Sequence, residues 1–215
     1  MEVTVVVSTY GSDTWKMMGD NAALNVDNAP VIRVHGNRTL AHARNEGLRQ
    51  VTTEWVCFVD GDDALKPGYF KAMSRGTADV RQPMVDGWAR VPMIPTCTAA
   101  HLPAGHTVER ECLRYGNPLC IGAVVRTELV RAVGGFDYQW PVIEDYALWR
   151  AIAIRGASFE PIPDATYMAR VIDNPTPRNR IGGRRLRAMT HAQIDYVLPW
   201  PSTTPPRMEP STTVA

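Results

Sequence analysis

No apolar stretch in this 215-residue chain approaches the length needed to cross a bilayer, so no transmembrane helix is predicted. Net charge is also scarce. Lys and Arg total 23 against 22 Asp and Glu, giving +1, which argues against a strongly electrostatic nucleic-acid binder and predicts no stable nucleic-acid partner. The four cysteines, Cys57, Cys97, Cys112 and Cys120, form no CxxC pair and no regular metal-ligand spacing. Free thiols and a cytoplasmic location are the economical expectation. The N-terminus has neither a basic lead nor a small-residue cleavage pattern, so Val3 to Val7 reads as a first strand and not as a signal peptide. No internal repeat occurs. What is present, 45% hydrophobic and 21% charged residues, is a globular composition with enough chain for one sizeable core.

The stretch Trp55-Val56-Cys57-Phe58-Val59 is almost wholly apolar and stops at Asp60-Gly61-Asp62-Asp63. A buried strand ends there, because an ionised Asp does not stay in an apolar sheet without a partner. A tight turn at Gly61 brings Asp60 and Asp62 together as oxygen donors for a hard divalent cation, Mn²⁺ or Mg²⁺. An ordinary polar turn after a strand accounts for the same residues.

The rest of the chain alternates strands and helices. Val3 to Val7 is a β-branched strand broken by Ser8-Thr9-Tyr10-Gly11, and Thr14 to Leu24 reads as a short helix. Val31 to Val34 is a second, short strand. Thr39 can cap a helix whose face carries Leu40, Ala43, Gly47 and Val51 at three- and four-residue spacing. A helix over Tyr69 to Arg75 follows the central strand, and residues 79–95 suggest strands at a sheet edge. Leu119 to Val125 reads as a strand, Thr127 to Val133 as a helix stopped by Gly134-Gly135, and Glu144-Asp145 as the first turn of another helix. Phe159 to Ile162 and Thr166 to Val171 are the last expected strands. This order predicts an α/β fold with a mixed sheet between helices, over residues 1–200. The Pro/Ser/Thr-rich residues 201–215 are expected to form a disordered tail.

Taken together, Ser8-Thr9-Tyr10, Ala43-Arg44-Asn45-Glu46-Gly47, Val59-Asp60-Gly61-Asp62-Asp63, Gly134-Gly135-Phe136-Asp137 and Glu144-Asp145 resemble the motifs of the family 2 inverting glycosyltransferases. Their order and spacing match over about residues 1–171. The resemblance implies a GT-A fold related to the Rossmann fold, and transfer of a hexose from a nucleoside-diphosphate sugar to an acceptor hydroxyl on a glycan, protein or lipid. It implies Asp62 as direct metal ligand, Asp60 on the ribose or on the metal through water, and Asp145 as general base. Thr9, Tyr10, Arg44 and Asn45 would then serve the donor. For Arg44 and Asn45 a solvated helix face is the plain alternative, and for Asp145 an ordinary helix-start carboxylate.

Trp140 offers an aromatic face to a sugar, or else folds back on the core; Glu144 orients the acceptor or its neighbour. Arg184 and Arg185 sit among five arginines around Gly182-Gly183. That segment reads as a lid over the diphosphate or as a patch for an anionic acceptor or a membrane surface. His191 is a third metal ligand or a structural histidine. One departure stands out: the second-strand region is short and its strand leads to no acidic turn, leaving Asp13 or Asp27 as substitutes and the nucleobase open, with UDP preferred. The rival readings are a non-catalytic nucleotide-sugar or carbohydrate-binding protein and a phosphotransferase that uses the first Asp of DxD as nucleophile. The latter needs its motif near the chain start and a distant lysine, whereas Lys66 and Lys71 lie close by.

Overall fold

The Val-rich opening run forms strand β1 (Val3–Tyr10), and its parallel neighbours are β2 (Val31–Gly36) and β3 (Trp55–Asp60). The structure, a computed structural model, describes residues 1–24, 26–36, 38–88, 113, 117, 119–140, 143–170, 193–194 and 196–201. Helix α1 (Asp13–Ala22) links β1 to β2, and α2 (Leu40–Gln50) links β2 to β3. Both faces of β1 and β3 are covered, which is why Val5 to Val7 and Trp55 to Val59 are unbroken apolar runs, with no alternating polar face. Thr39 caps α2 as expected, its side chain accepting from the His42 backbone N–H. The remaining elements are β4 (Ala64–Leu65), α3 (Tyr69–Met73), β5 (Val80–Trp88), β6 (Val124–Arg126), α4 (Thr127–Ala132), α5 (Glu144–Ile154) and β7 (Phe159–Arg170). Sheet order is β2-β1-β3-β6-β5-β7-β4, with β6 antiparallel to both β3 and β5. The expected mixed α/β sheet is therefore present, and β2, which runs on past Val34 to Gly36 and is as long as β3, lies at one edge.

Three expectations change. Of the residues expected at an edge, Val80–Trp88 do not lie there, because β5 runs between β6 and β7, while residues 89–95 fall outside the described residues. Pro83, which lacks a ladder donor, is accommodated at the register shift between Pro83 and Met84. The two late strands are one, β7, whose residues 163–165 bulge out opposite that shift. Of the expected strand at 119–125 only Val124 and Val125 enter the sheet, as part of β6, while Leu119 and Ile121 are buried in irregular chain. A short apolar run signals burial and leaves the backbone state open. Apart from Pro201, the expected tail lies outside the described residues, as do Val171, Arg178 to Arg187 and His191.

Because β1, β2 and β3 are parallel, Tyr10, Gly36 and Asp60 end at one edge of the sheet. That edge, at carboxyl ends where strand order reverses, is where open α/β sheets gather ligands. Gly61 lets it close: a Cβ there falls well inside contact with Thr9 Cγ2 and 3.2 Å from the Gly19 backbone. Gly61→Ala is expected to cost about 1–3 kcal/mol, the scale of overpacking, as read by urea denaturation. An unchanged urea midpoint would show that Thr9 and Gly19 yield easily.

Candidate active site

Arg44 is the centre of the site. It projects from α2 with only 2% of its surface exposed. One guanidinium nitrogen, Nη2, donates to Asp60 Oδ1 at 2.6 Å, and the other, Nη1, to Glu144 Oε1 at 2.8 Å. The DGDD turn and the start of α5 are thus joined through a single fork. Burial works against the guanidinium cation, but Asp60, Glu144 and Asp145 together outweigh it and hold its pKa above the ordinary arginine value. Its neighbour Asn45 ties down the loop before α5. The Asn45 amide donates to Phe136 O at 2.7 Å and its Oδ1 accepts from Phe136 N at 2.8 Å. Gly135, at φ +78°, passes so close to Asn45 Oδ1 that a side chain has no room. Neither Arg44 nor Asn45 belongs to a solvated helix face.

Asp145 follows Glu144 in the first turn of α5 and is partly buried. Burial, and then the neighbouring Glu144 charge, push its carboxyl above the usual aspartate range, while Arg44, the Tyr146 backbone and Asn117 pull the other way. Asn117 Nδ2 donates to Asp145 Oδ2 at 2.9 Å and so orients the carboxylate. The residue capping this helix, Ile143, has left-handed backbone (φ 59°), which a β-branched side chain rarely adopts. Such strain is stored where the surroundings impose it, often at functional sites.

Tyr167, on β7, organises the acidic turn from the other side. Its hydroxyl accepts from Asp60 N at 3.3 Å and donates to Asp63 Oδ2 at 2.6 Å. Asp63 therefore braces the turn. Gly122 leaves the space for the Tyr167 ring, which a Cβ would penetrate. Thr9 Oγ1 is 2.9 Å from His35 Nδ1, so β2 ends in an imidazole beside the first loop and not in a carboxylate. Tyr10 is half-exposed at the same edge, Asp13 opens α1, and Asp27 lies in the turn before β2.

Asp60 and Asp62 offer only oxygen, the donor type of Mg²⁺ or Mn²⁺. Among the described residues no cluster of three or more His, Cys, Asp or Glu side chains forms a metal cage. The pair fits a cation that completes its shell with phosphate and water oxygens, and does not fit a self-contained metal centre. Trp140 is buried, 5% exposed, and forms part of a cavity; Trp149 lies in the core as expected, with no exposed surface. Glu144, expected near the acceptor, is committed to Arg44 and 5% exposed. Arg184, Arg185 and His191 lie outside the described residues. Asn117 and Tyr167 were missed in the sequence. Asn117 stands in a stretch without period, and Tyr167 reads as one more aromatic in a strand.

Sheet order and strand direction are those of the GT-A class of folds. The family described as "Glycosyltransferase like family 2" matches residues 1–188, and the chain belongs to that family. Among solved structures, S. aureus TarS 1–349 in complex with UDP-GlcNAc is similar at a TM-score of 0.62 and 18% identity, over 92% of this chain and 70% of that one. The same fragment in complex with UDP gives 0.59 and 19%, again over 92% and 70%. Against a further S. aureus TarS structure the values are 0.58 and 19%, over 92% of this chain but 42% of the other. These likenesses concern the fold. No curated protein sequence matches the chain. No helix among the described residues is long and apolar enough to cross a membrane.

Proposed function

We propose that the chain is a metal-dependent, inverting glycosyltransferase that moves a hexose from a UDP-sugar to an acceptor hydroxyl. The observation that carries this reading is the Arg44 fork, which fixes the DGDD turn and the Glu144-Asp145 helix start as one unit. Pure binding of a nucleotide sugar needs no carboxylate held beside that unit with a raised pKa. Asp145 takes the proton of the acceptor hydroxyl as its oxygen attacks the anomeric carbon, and the bond to the diphosphate breaks on the opposite face. The nucleoside diphosphate leaves with the bonding electrons. Asp62, with Asp60, would hold Mn²⁺ or Mg²⁺, which when bound offsets charge on the departing diphosphate. Thr9, Tyr10 and the turn beside them line the strand ends where the nucleotide would lie. The cytoplasm, where thiols such as the buried Cys57 and Cys120 stay outside disulfides, is the proposed location.

The TarS complexes with UDP-GlcNAc and UDP make UDP the first nucleotide to test. Calorimetry is expected to show UDP binding strengthened by Mn²⁺, with that gain abolished in Asp62→Ala. An undiminished metal response in the variant defeats the assignment of Asp62. GDP and dTDP in the same titration decide the base, which His35 in place of an acidic strand end leaves open. The arginines at 178–187 are proposed as a lid on the diphosphate, with Arg184 and Arg185 as its contacts and His191 as a third ligand. Hydrogen exchange on that segment should slow when UDP and Mn²⁺ bind, and unchanged exchange argues for a patch toward an anionic surface.

A further inference from the structure

Asn117 lies in irregular chain, yet α5 and the core hold it in place. Its Nδ2 donates to Asp145 Oδ2 at 2.9 Å. Four residues earlier, Leu113 O accepts from the Tyr146 hydroxyl at 2.9 Å and from Arg150 Nη1 at 3.1 Å. Leu113, Tyr146 and Arg150 are all fully buried, and so are Leu119, Cys120 and Ile121 just beyond Asn117. Asn117 is therefore anchored on both sides and fixed relative to the helix that carries Asp145.

The direction of the Asn117 amide is set by its own backbone. Its Oδ1 accepts from the Leu119 N–H at 3.2 Å, two residues on, the pattern in which an asparagine side chain closes a turn. Residue 118 is a proline, which has no N–H, so Leu119 supplies the first such donor after Asn117. Reversing the amide would set N–H against N–H at Leu119 and oxygen against carboxylate at Asp145. One orientation satisfies both contacts, and it places a donor on the carboxylate.

That carboxylate is under opposing influences. Burial and the Glu144 charge favour its neutral form, whereas Arg44, the Tyr146 backbone and Asn117 favour the charged one. A general base does nothing while neutral, and it is weak when a cation binds it directly. Arg44 commits its two terminal nitrogens to Asp60 and Glu144. Asn117 donates to Asp145 itself and adds no charge.

We propose that Asn117 is a positioning residue for sugar transfer, holding the Asp145 carboxylate ionised and in one orientation toward the acceptor hydroxyl. The inference rests on the transferase reading and adds a residue to its base.

Two replacements in the full chain test it. Asn117→Asp has the same shape and keeps an acceptor for the Leu119 N–H, so the turn survives, but it faces Asp145 with a carboxylate oxygen. Asn117→Ala removes the donor and adds no charge. The first readout needs no substrate: ¹³C NMR titration of the carboxyl signals, with Asp145 assigned by its loss in Asp145→Asn. The Asp145 midpoint is expected to rise in Asn117→Ala, because a hydrogen bond to the charged form is lost. In Asn117→Asp it should rise by about one pH unit or more, because like charges meet. The second readout is UDP release from UDP-glucose, UDP-galactose and UDP-GlcNAc with water as the acceptor. Turnover is expected to fall about ten- to hundredfold in Asn117→Asp, with its acidic limb at higher pH and UDP affinity by calorimetry unchanged. A role in folding alone would lower turnover and UDP affinity together and leave the acidic limb in place. That result, or wild-type midpoints in both variants, overturns the proposal and leaves the transferase standing. Shifted midpoints without Asp145-dependent turnover of any of the three donors remove the transferase reading, and the role of Asn117 in transfer with it.

Discussion

Replacing Asp145 with asparagine is expected to lower sugar transfer by at least about a hundredfold, the low end for a positioned general base, while UDP affinity is kept. The amide has the shape of the carboxylate and can keep a hydrogen bond with Asn117, but it cannot accept the acceptor's proton. The pH dependence follows from the same side chain. A base works only when ionised, so the rate falls as pH drops through its pKa. Burial and the Glu144 charge raise that pKa, so the fall begins at a higher pH than an ordinary aspartate would give. Steady-state transfer with saturating donor and acceptor measures both effects. Comparable rates in Asp145→Asn, or a wild-type profile flat down to the ordinary aspartate range, would remove Asp145 from this role.

The second large effect belongs to Arg44→Met, which keeps the volume and removes the charge. Glu144 is then buried without its cation, and Asp60 loses its own partner. Breaking a buried pair from one side costs about 3–5 kcal/mol, mostly because of the uncompensated charge left behind. The loss should appear as a lower urea midpoint and be partly recovered in the double variant Arg44→Met/Glu144→Gln. Arg44→Lys should not rescue it, because one ammonium cannot place two donors on carboxylates in different directions as the fork does. Any activity that survives should show its acidic limb moved to higher pH, since Arg44 lowers the Asp145 pKa. A midpoint within about 1 kcal/mol of wild type would mean that water or another cation replaces Arg44.

Much of this arrangement was legible before any coordinates. The β-branched run at Val3 to Val7 and the apolar run at Trp55 to Val59 read as buried strands, and both became parallel strands covered on two faces. The three- and four-residue spacing from Leu40 gave α2, and with it the side that carries Arg44 and Asn45. Periodicity did not say what that side faces. Both residues are polar, and polar groups on a helix are usually solvated; here their partners lie in another part of the chain. The same limit hid Tyr167, whose role depends on which strand lies beside β4 and β5. The interior position of β5 was obscured by Pro83, a residue that normally marks an edge and here sits at a bulge.

The long reach of the Arg44 fork has a consequence for how the protein is made. Arg44 and Glu144 are separated by 100 positions, Asn45 and Phe136 by 91, and Asp63 and Tyr167 by 104. By contrast β1, β2 and β3 are joined by single short helices and can gather from nearby chain. Contacts that close long loops bear their entropy cost before any gain, so they form late. A chain still emerging from the ribosome can therefore display the DGDD turn well before the Glu144-Asp145 helix start is opposite it. Only when β7 has been synthesised and docked do Asp60, Asp63 and Asp145 share one framework. The joined site is thus completed at the end of folding, and undocking of α5 or β7 is enough to take it apart.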